Sequence, residues 1–235
     1  LEQAAHDLYR EWFVHFRFPG HESVEMVDSG TDYGMIPHGW EVVPLGELDE
    51  QRRDSVHPDD IDSQTPYVGL AHIPQKSIIL SEWGEAGETK STKLVFKQRD
   101  ILFAKIRPYL HKVVPAPIDG VSSSDAIIIR PFSSDCYGLV LMCVSDEMFV
   151  DYADKTSQGT QMPRANWDVL AEYPLAVPPQ DLLCQFNEFV IDLVDQTRNM
   201  IFRNNALREA RDLLLPRLVS GQLDVSDIEV EVRKQ

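Results

Sequence analysis

Cysteine is scarce and badly spaced for a structural role. Cys136, Cys143 and Cys184 are odd in number and lack C-x-x-C spacing, which argues against a disulfide framework and against a tetrahedral zinc site. Long apolar runs are missing too. The longest stretches, Leu139 to Val144 and Ile127 to Ile129, fall far short of the roughly 20 residues that cross a bilayer. The opening Leu1-Glu2-Gln3-Ala4-Ala5-His6-Asp7 has neither the basic start nor the apolar centre of a secretory signal, so a cytoplasmic protein is expected. No methionine initiates the chain, and a fragment or processed product is expected. Catalytic motifs are absent as well: there is no G-x-G-x-x-G, no G-x-x-x-x-G-K-[ST] and no H-E-x-x-H. Val177-Pro178-Pro179-Gln180 lacks both the polar start and the ring of an amino-methyltransferase tetrad. Glu88-Thr89-Lys90 is only half of a nuclease metal motif. The seven histidines have no Cys, Ser or second His at catalytic spacing, and His72 and His111, which flank strand candidates, are read as structural. Ser122-Ser123-Ser124-Asp125 is read as a turn. No catalytic site and no metal site are expected on this chain.

Positive charge is in short supply, with 22 basic against 38 acidic residues and a net charge of −16. Nucleic-acid binders ordinarily carry a basic surplus, because affinity rests on neutralising phosphates. The deficit is unevenly spread. Between Thr89 and Lys112, Lys90, Lys93, Lys97, Arg99, Lys105, Arg107 and Lys112 face a single acid, Asp100, so that window carries +6 and the remainder −22. Glu41 to Asp62 is the opposite: eight acids surround Arg52 and Arg53. A cationic stripe on an acidic body suits a protein that touches DNA in one place and is repelled elsewhere. It equally suits an ordinary solvated strand edge, and charge alone leaves both open.

What is present is periodicity. Leu1, Ala5, Leu8, Trp12 and His15 step by four and three and predict a helical segment over residues 1–18, stopped at Pro19-Gly20. Residues 19–38 lose the pattern and read as a linker. Residues 39–179 predict a mixed α/β globular domain of the α+β class. Its strand candidates are Ile78 to Leu80, Leu94 to Phe96, Ile101 to Arg107, Ala126 to Arg130 and Tyr137 to Val144; its helix candidates are Asp146 to Ala153 and Asn166 to Leu170. Strand alternation over Ile101, Phe103, Lys105 and Arg107 would lift two cations out at the rim of the core. A long helix follows over residues 180–216. Leu183, Phe186, Val190, Leu193, Thr197, Met200, Asn204, Leu207, Arg211 and Leu214 alternate steps of three and four. That is a coiled-coil seam, which at about 1.5 Å per residue extends on the order of 50 Å. Asn204 and Arg211 would fix its register. The N-terminal helix covers only part of such a seam, so a second copy or the other half of a longer protein is implied. Residues 217–235 read as a tail, acidic and frayed from Asp224 onward.

The decisive pattern is a set of motifs in order. Asp100-Ile101-Leu102-Phe103-Ala104-Lys105-Ile106-Arg107-Pro108 resembles the D-I-L-x-x-K-I-R-P signature of Type I restriction–modification specificity-subunit recognition domains. Gly39-Trp40 through Leu45-Gly46-Glu47-Leu48 resembles the entry to such a domain. Ser157-Gln158-Gly159-Thr160-Gln161, Asn166-Trp167 and Val177-Pro178-Pro179 are similar to its exit into the long helix. Leu207-Arg208 through Leu218-Val219-Ser220-Gly221 resembles the end of the family's C-terminal half, and Leu1 to Phe13 the end of its central helix.

The resemblance implies a non-catalytic subunit that reads one half of a bipartite double-stranded DNA target. It would dock adenine N6 methyltransferase (modification) subunits and a restriction subunit, with S-adenosylmethionine, ATP and Mg carried by those partners. Lys105 and Arg107, shared by members with different targets, are assigned to phosphates or to the domain's integrity, within a stripe that includes Lys97 and Arg99. Base readout is assigned to loop residues Lys90, Lys93, Gln158, Gln161, Arg164 and Asn166, because Arg reads guanine and Gln or Asn reads adenine through paired donors and acceptors. Alternatives are a recognition module of a fused methyltransferase–nuclease, a half-subunit that homodimerises on a symmetric target, and a structural relative that no longer reads DNA.

Overall fold

Ile101-Leu102-Phe103-Ala104 and Ala126-Ile127-Ile128-Ile129 are unbroken apolar runs, as expected of strands covered on both faces. In the computed structural model, which describes residues 1–88 and 90–222, they are the centre of the fold. The chain divides into two compact units, Leu1–Asp195 and Gln196–Gln235. The expected acidic tail from Asp224, and Thr89 of the Glu88-Thr89-Lys90 match, lie outside the described residues.

The first unit opens with α1 (Glu2–Tyr9) and a π-helical turn (Arg10–Val14), then the hairpin β1 (Met26–Asp28) and β2 (Met35–Pro37). β3 (Glu41–Pro44) pairs antiparallel with the last strand, β13 (Pro174–Val177), which closes the domain on its own entry. Between them run β4 (Asp49–Arg52), β5 (Ser55–Val56), β6 (Pro66–Val68), β7 (Gly84–Glu85), β8 (Lys93–Phe96), β9 (Ile101–Ala104), β10 (Val113–Pro115), β11 (Gly120–Ser122) and β12 (Ala126–Pro131). One antiparallel sheet has the order β10-β9-β12-β4; a second, with one parallel pair (β11 with β6), has the order β5-β8-β11-β6-β7.

β9 and β12 divide two cores. Ile101, Phe103, Ile127 and Ile129 face a large cluster with α1, α2 (Tyr137–Val144) and α3 (Glu147–Lys155). Leu102 and Ile128 face a smaller one with Val68, Phe96 and Val114. The two-sided burial explains the unbroken apolar runs. Gly120 in β11 is forced by this packing: a Cβ there would meet the Pro66 carbonyl oxygen at 2.5 Å and the Phe96 ring at 2.8 Å. Gly120→Ala is expected to cost about 3 kcal/mol by overpacking; an unchanged denaturation midpoint would show that the sheet yields there.

Several expectations are corrected. Tyr137 to Val144 is a helix, with all eight residues buried; an apolar run of that length fits a buried helix as well as a buried strand. It is started by a 3₁₀ turn capped by Ser133 Oγ, which accepts from the Asp135 N–H. Ile78 to Leu80 is not a strand. The fully buried N-terminal face is Ala5, Tyr9 and Phe13, with Leu8 and Trp12 partly buried beside it, and Leu1 is exposed. The linker segment carries the β1–β2 hairpin, and Phe18 and Ile36 are buried.

The long helix, α5, runs over Gln180–Val219. Within the first unit, Leu183, Phe186, Val190 and Leu193 are buried, and the Phe186 ring lies 4.7 Å from that of Phe13. Gly138 admits this close packing; a Cβ there would stand 3.0 Å from Val190 Cβ. Its N–H donates to Asn187 Oδ1 at 2.7 Å, and Asn187 Nδ2 donates to the Ser134 carbonyl. The second unit, taken by itself, exposes Met200, Leu207 and Leu214. The seam is therefore split: its first half is covered by the chain's own core, and only later positions remain for anything else.

Candidate nucleic-acid interface

The domain's signature segment is built around strand β9. It ends at Ala104, so the alternation expected through Arg107 stops early. Lys105 is half-buried, and Arg107 turns to φ +52°, entering the 3₁₀ turn Pro108–Leu110. Backbone bonds tie this exit to a later loop: Ala165 N–H donates to the Lys105 carbonyl at 2.8 Å, and Arg107 N–H to that of Pro163 at 2.8 Å. Gln158 and Arg164 exchange backbone bonds at 3.0 and 2.9 Å, closing a short hairpin whose tip carries Thr160, Gln161 and Met162. Gly159 holds φ +100°, which a glycine takes without strain.

A cleft of about 520 Å³ results, lined among others by Gln51, Arg53, Lys105, Gln158, Arg164 and Asn166, with Trp167 beneath. Arg107 and Gln161 are exposed beside it in sequence. Among the described residues the side chains of Lys105, Arg107 and Arg164 make no ion pair. Arg53 Nε donates to Gln51 Oε1 at 2.9 Å, and its guanidinium lies 3.7 Å from Asp168 with both groups exposed. Asn166 Oδ1 accepts from the Asp168 N–H at 3.2 Å and caps α4 (Trp167–Leu170).

The remaining cations are elsewhere or occupied. Lys97 and Arg99 precede β9 and Lys105 follows it, so they lie at opposite ends of that strand. Lys97 pairs with Asp119 at 2.9 Å and Arg99 with Asp195 at 2.8 Å. The Gln98 N–H, then Lys97, holds the Asp119 carboxyl below the usual range. Lys93 is 6% exposed; its ammonium donates to the Ser91 carbonyl and hydroxyl at 2.8 and 2.7 Å and sits over the Tyr67 ring. It is not a loop residue. Lys90 is exposed but does not line the cleft. Asp100 is buried; it accepts two bonds from Arg130 and one from the Lys97 N–H, all at 2.7 Å, so the signature's acid holds the strand entry. The expected stripe is two separate ends.

His72 Nδ1 accepts from the Gly69 N–H at 3.0 Å, and His111 Nε2 lies 2.8 Å from the Ser145 carbonyl; both hold backbone. Among the described residues no cluster of His, Cys, Asp or Glu could hold a metal, and no helix is long and apolar enough to cross a membrane. Sequence reasoning missed Gln51, Arg53 and Ser124. They reach the cleft only through the antiparallel β12–β4 and β12–β9 pairings, which no local signal reveals.

No family model matches the chain. Over 97% of its length it is 24% identical to the MjaIX Type I restriction enzyme specificity subunit of Methanocaldococcus jannaschii, covering 54% of that protein. It is also 30% identical over 141 residues to the EcoDI specificity subunit of Escherichia coli, a match that covers 57% of this chain and 30% of that one. Its homologues are specificity subunits of Type I restriction enzymes. The fold agrees: the HsdS subunit from Thermoanaerobacter tengcongensis superposes with a TM-score of 0.52 at 19% identity, over 84% of this chain and 53% of that one. The chain spans about half the length of the specificity subunits it matches over most of its own length.

Proposed function

We propose that this specificity-subunit half reads one half of a bipartite DNA target and docks the modification subunits, with the methyl transfer and the ATP-driven cleavage carried out by its partners. The observation that carries the reading is the gathering of unpaired Lys105 and Arg164 with Gln158 in one cleft, with unpaired Arg107 tied to the same loop through its backbone N–H. Phosphates are the groups that unpaired lysine and arginine on an acidic protein attract. Lys105 and Arg107, tied by backbone bonds, position the duplex, and the hairpin tip reads it. Gln161 keeps both donor and acceptor free for an adenine edge and Arg164 for a guanine edge. Asn166 has spent its acceptor on the α4 cap, which removes it from bidentate readout.

The test is adenine-methylation mapping in cells that express the full subunit with its modification partner, native or with residues 157–166 exchanged for those of a relative. One half of the methylated motif is expected to change while the other stays. Unchanged methylation would sink the loop assignment; absence of any bipartite motif with the native chain would sink the reading itself.

A further inference from the structure

The cleft above is cationic. A second depression, in the same unit, has the opposite sign. A groove of about 740 Å³ opens between the π-helical turn, the β1–β2 loop, the start of α3 and the β3–β13 pair. Its walls include Phe13, Phe16, Tyr33 and Tyr173, and no lysine or arginine lines it. The acids that line it are Asp32, Asp146 and Glu172. Asp146 is committed, accepting from Arg10 Nε at 2.9 Å and capping α3 at the Met148 N–H. Asp32 and Glu172 are exposed, and their side chains make no hydrogen bond or ion pair among the described residues. Met35 and Met148, which also line it, are 52% and 58% exposed.

These features select the occupant. Free carboxylates repel phosphate, so the groove is not a second nucleic-acid surface. Its volume lies in the range of pockets that enclose a ligand of several side chains' size. Aromatic faces and unpaired acids together favour a cation carried beside apolar surface, and exposed methionines adapt to such a partner. We propose that this groove docks a segment of the modification subunit in which an aliphatic or aromatic side chain is flanked by lysine or arginine. The inference rests on the reading that the chain assembles with modification subunits, and it adds where on the recognition domain, and by what chemistry, they grip.

The experiment titrates purified modification subunit into the full specificity subunit, native or carrying Asp32→Lys with Glu172→Lys, at low and at high salt. Both positions are exposed, so thermal unfolding is expected to stay unchanged. Native association is expected to weaken as salt rises. The double reversal is expected to lose at least about ten-fold at low salt and most of its salt dependence, with Asp32→Asn plus Glu172→Gln falling between. Equal affinity and equal salt slope for native and reversed chains would overturn the groove while leaving assembly intact. Failure of the native subunit to bind at all would overturn both. Self-association of the specificity subunit that the reversal abolishes, with modification-subunit affinity unchanged, would assign the groove to a second copy instead and overturn the proposal.

Discussion

Lys105→Gln with Arg107→Gln is expected to lower the affinity of the assembled complex for DNA about 100-fold, and by the same factor on target and scrambled duplexes. In the proposed role each of the two would make a charge-assisted bond to phosphate worth about 1.4 kcal/mol, and a phosphate contact carries no base information. The slope of log affinity against log salt should fall by about two, because each neutralised phosphate releases close to one counterion. The control is at the other end of the same strand. Lys97→Gln with Arg99→Gln removes equal charge, but those groups are already paired with Asp119 and Asp195 and should move affinity less than about three-fold, the scale of exposed ion pairs. Fluorescence anisotropy titrations at several salt concentrations measure all four numbers. Equal losses from the two pairs would mean that both strand ends face DNA; a loss confined to the target sequence would make Lys105 and Arg107 readers of bases.

That contrast also marks how far sequence could reach. The motif order pointed to the same kind of protein as the relatives the chain resembles, and the sequence placed α3, α4 and the long helix, since their caps and spacings are local. Summing charge between Thr89 and Lys112 could not say that Lys93 is turned inward over Tyr67, or that β9 sends Lys97 and Lys105 to opposite ends. Those facts depend on strand register. The seam shows a different limit. Its spacing is real, but Leu183 to Leu193 satisfy the chain's own core, and a 3–4 repeat looks the same whether the covering helix comes from this chain or another. Tyr137 to Val144 carried no periodicity at all because every face of it is buried, which is the one circumstance in which hydrophobic pattern is silent about helix or strand.

The acidic segment from Glu41 to Asp62 conceals the second large effect. A count of its acids does not show which of them are buried, yet Asp49 at the head of β4 is 1% exposed and neither carboxylate oxygen has a hydrogen-bond partner. Burial alone pushes its pKa up to about 8. The folded protein therefore holds this proton more tightly than the unfolded chain does. Stability is complete below the unfolded carboxylate value of about 4, falls as pH rises from there, and levels off above about 8. At about 1.4 kcal/mol per unit, the whole interval is worth on the order of 5 kcal/mol. Asp49→Asn keeps the shape and cannot ionise. Its unfolding free energy should match the native value near pH 4, and the gap should widen in the variant's favour until about pH 8. Urea denaturation across that range reads the gap directly. If the two curves run parallel, the carboxylate is hydrated or paired and Asp49 is not buried alone. If the gap opens, the chain carries an uncompensated buried acid, and neutralising it would stabilise the fold at physiological pH without touching the cleft or the acidic groove.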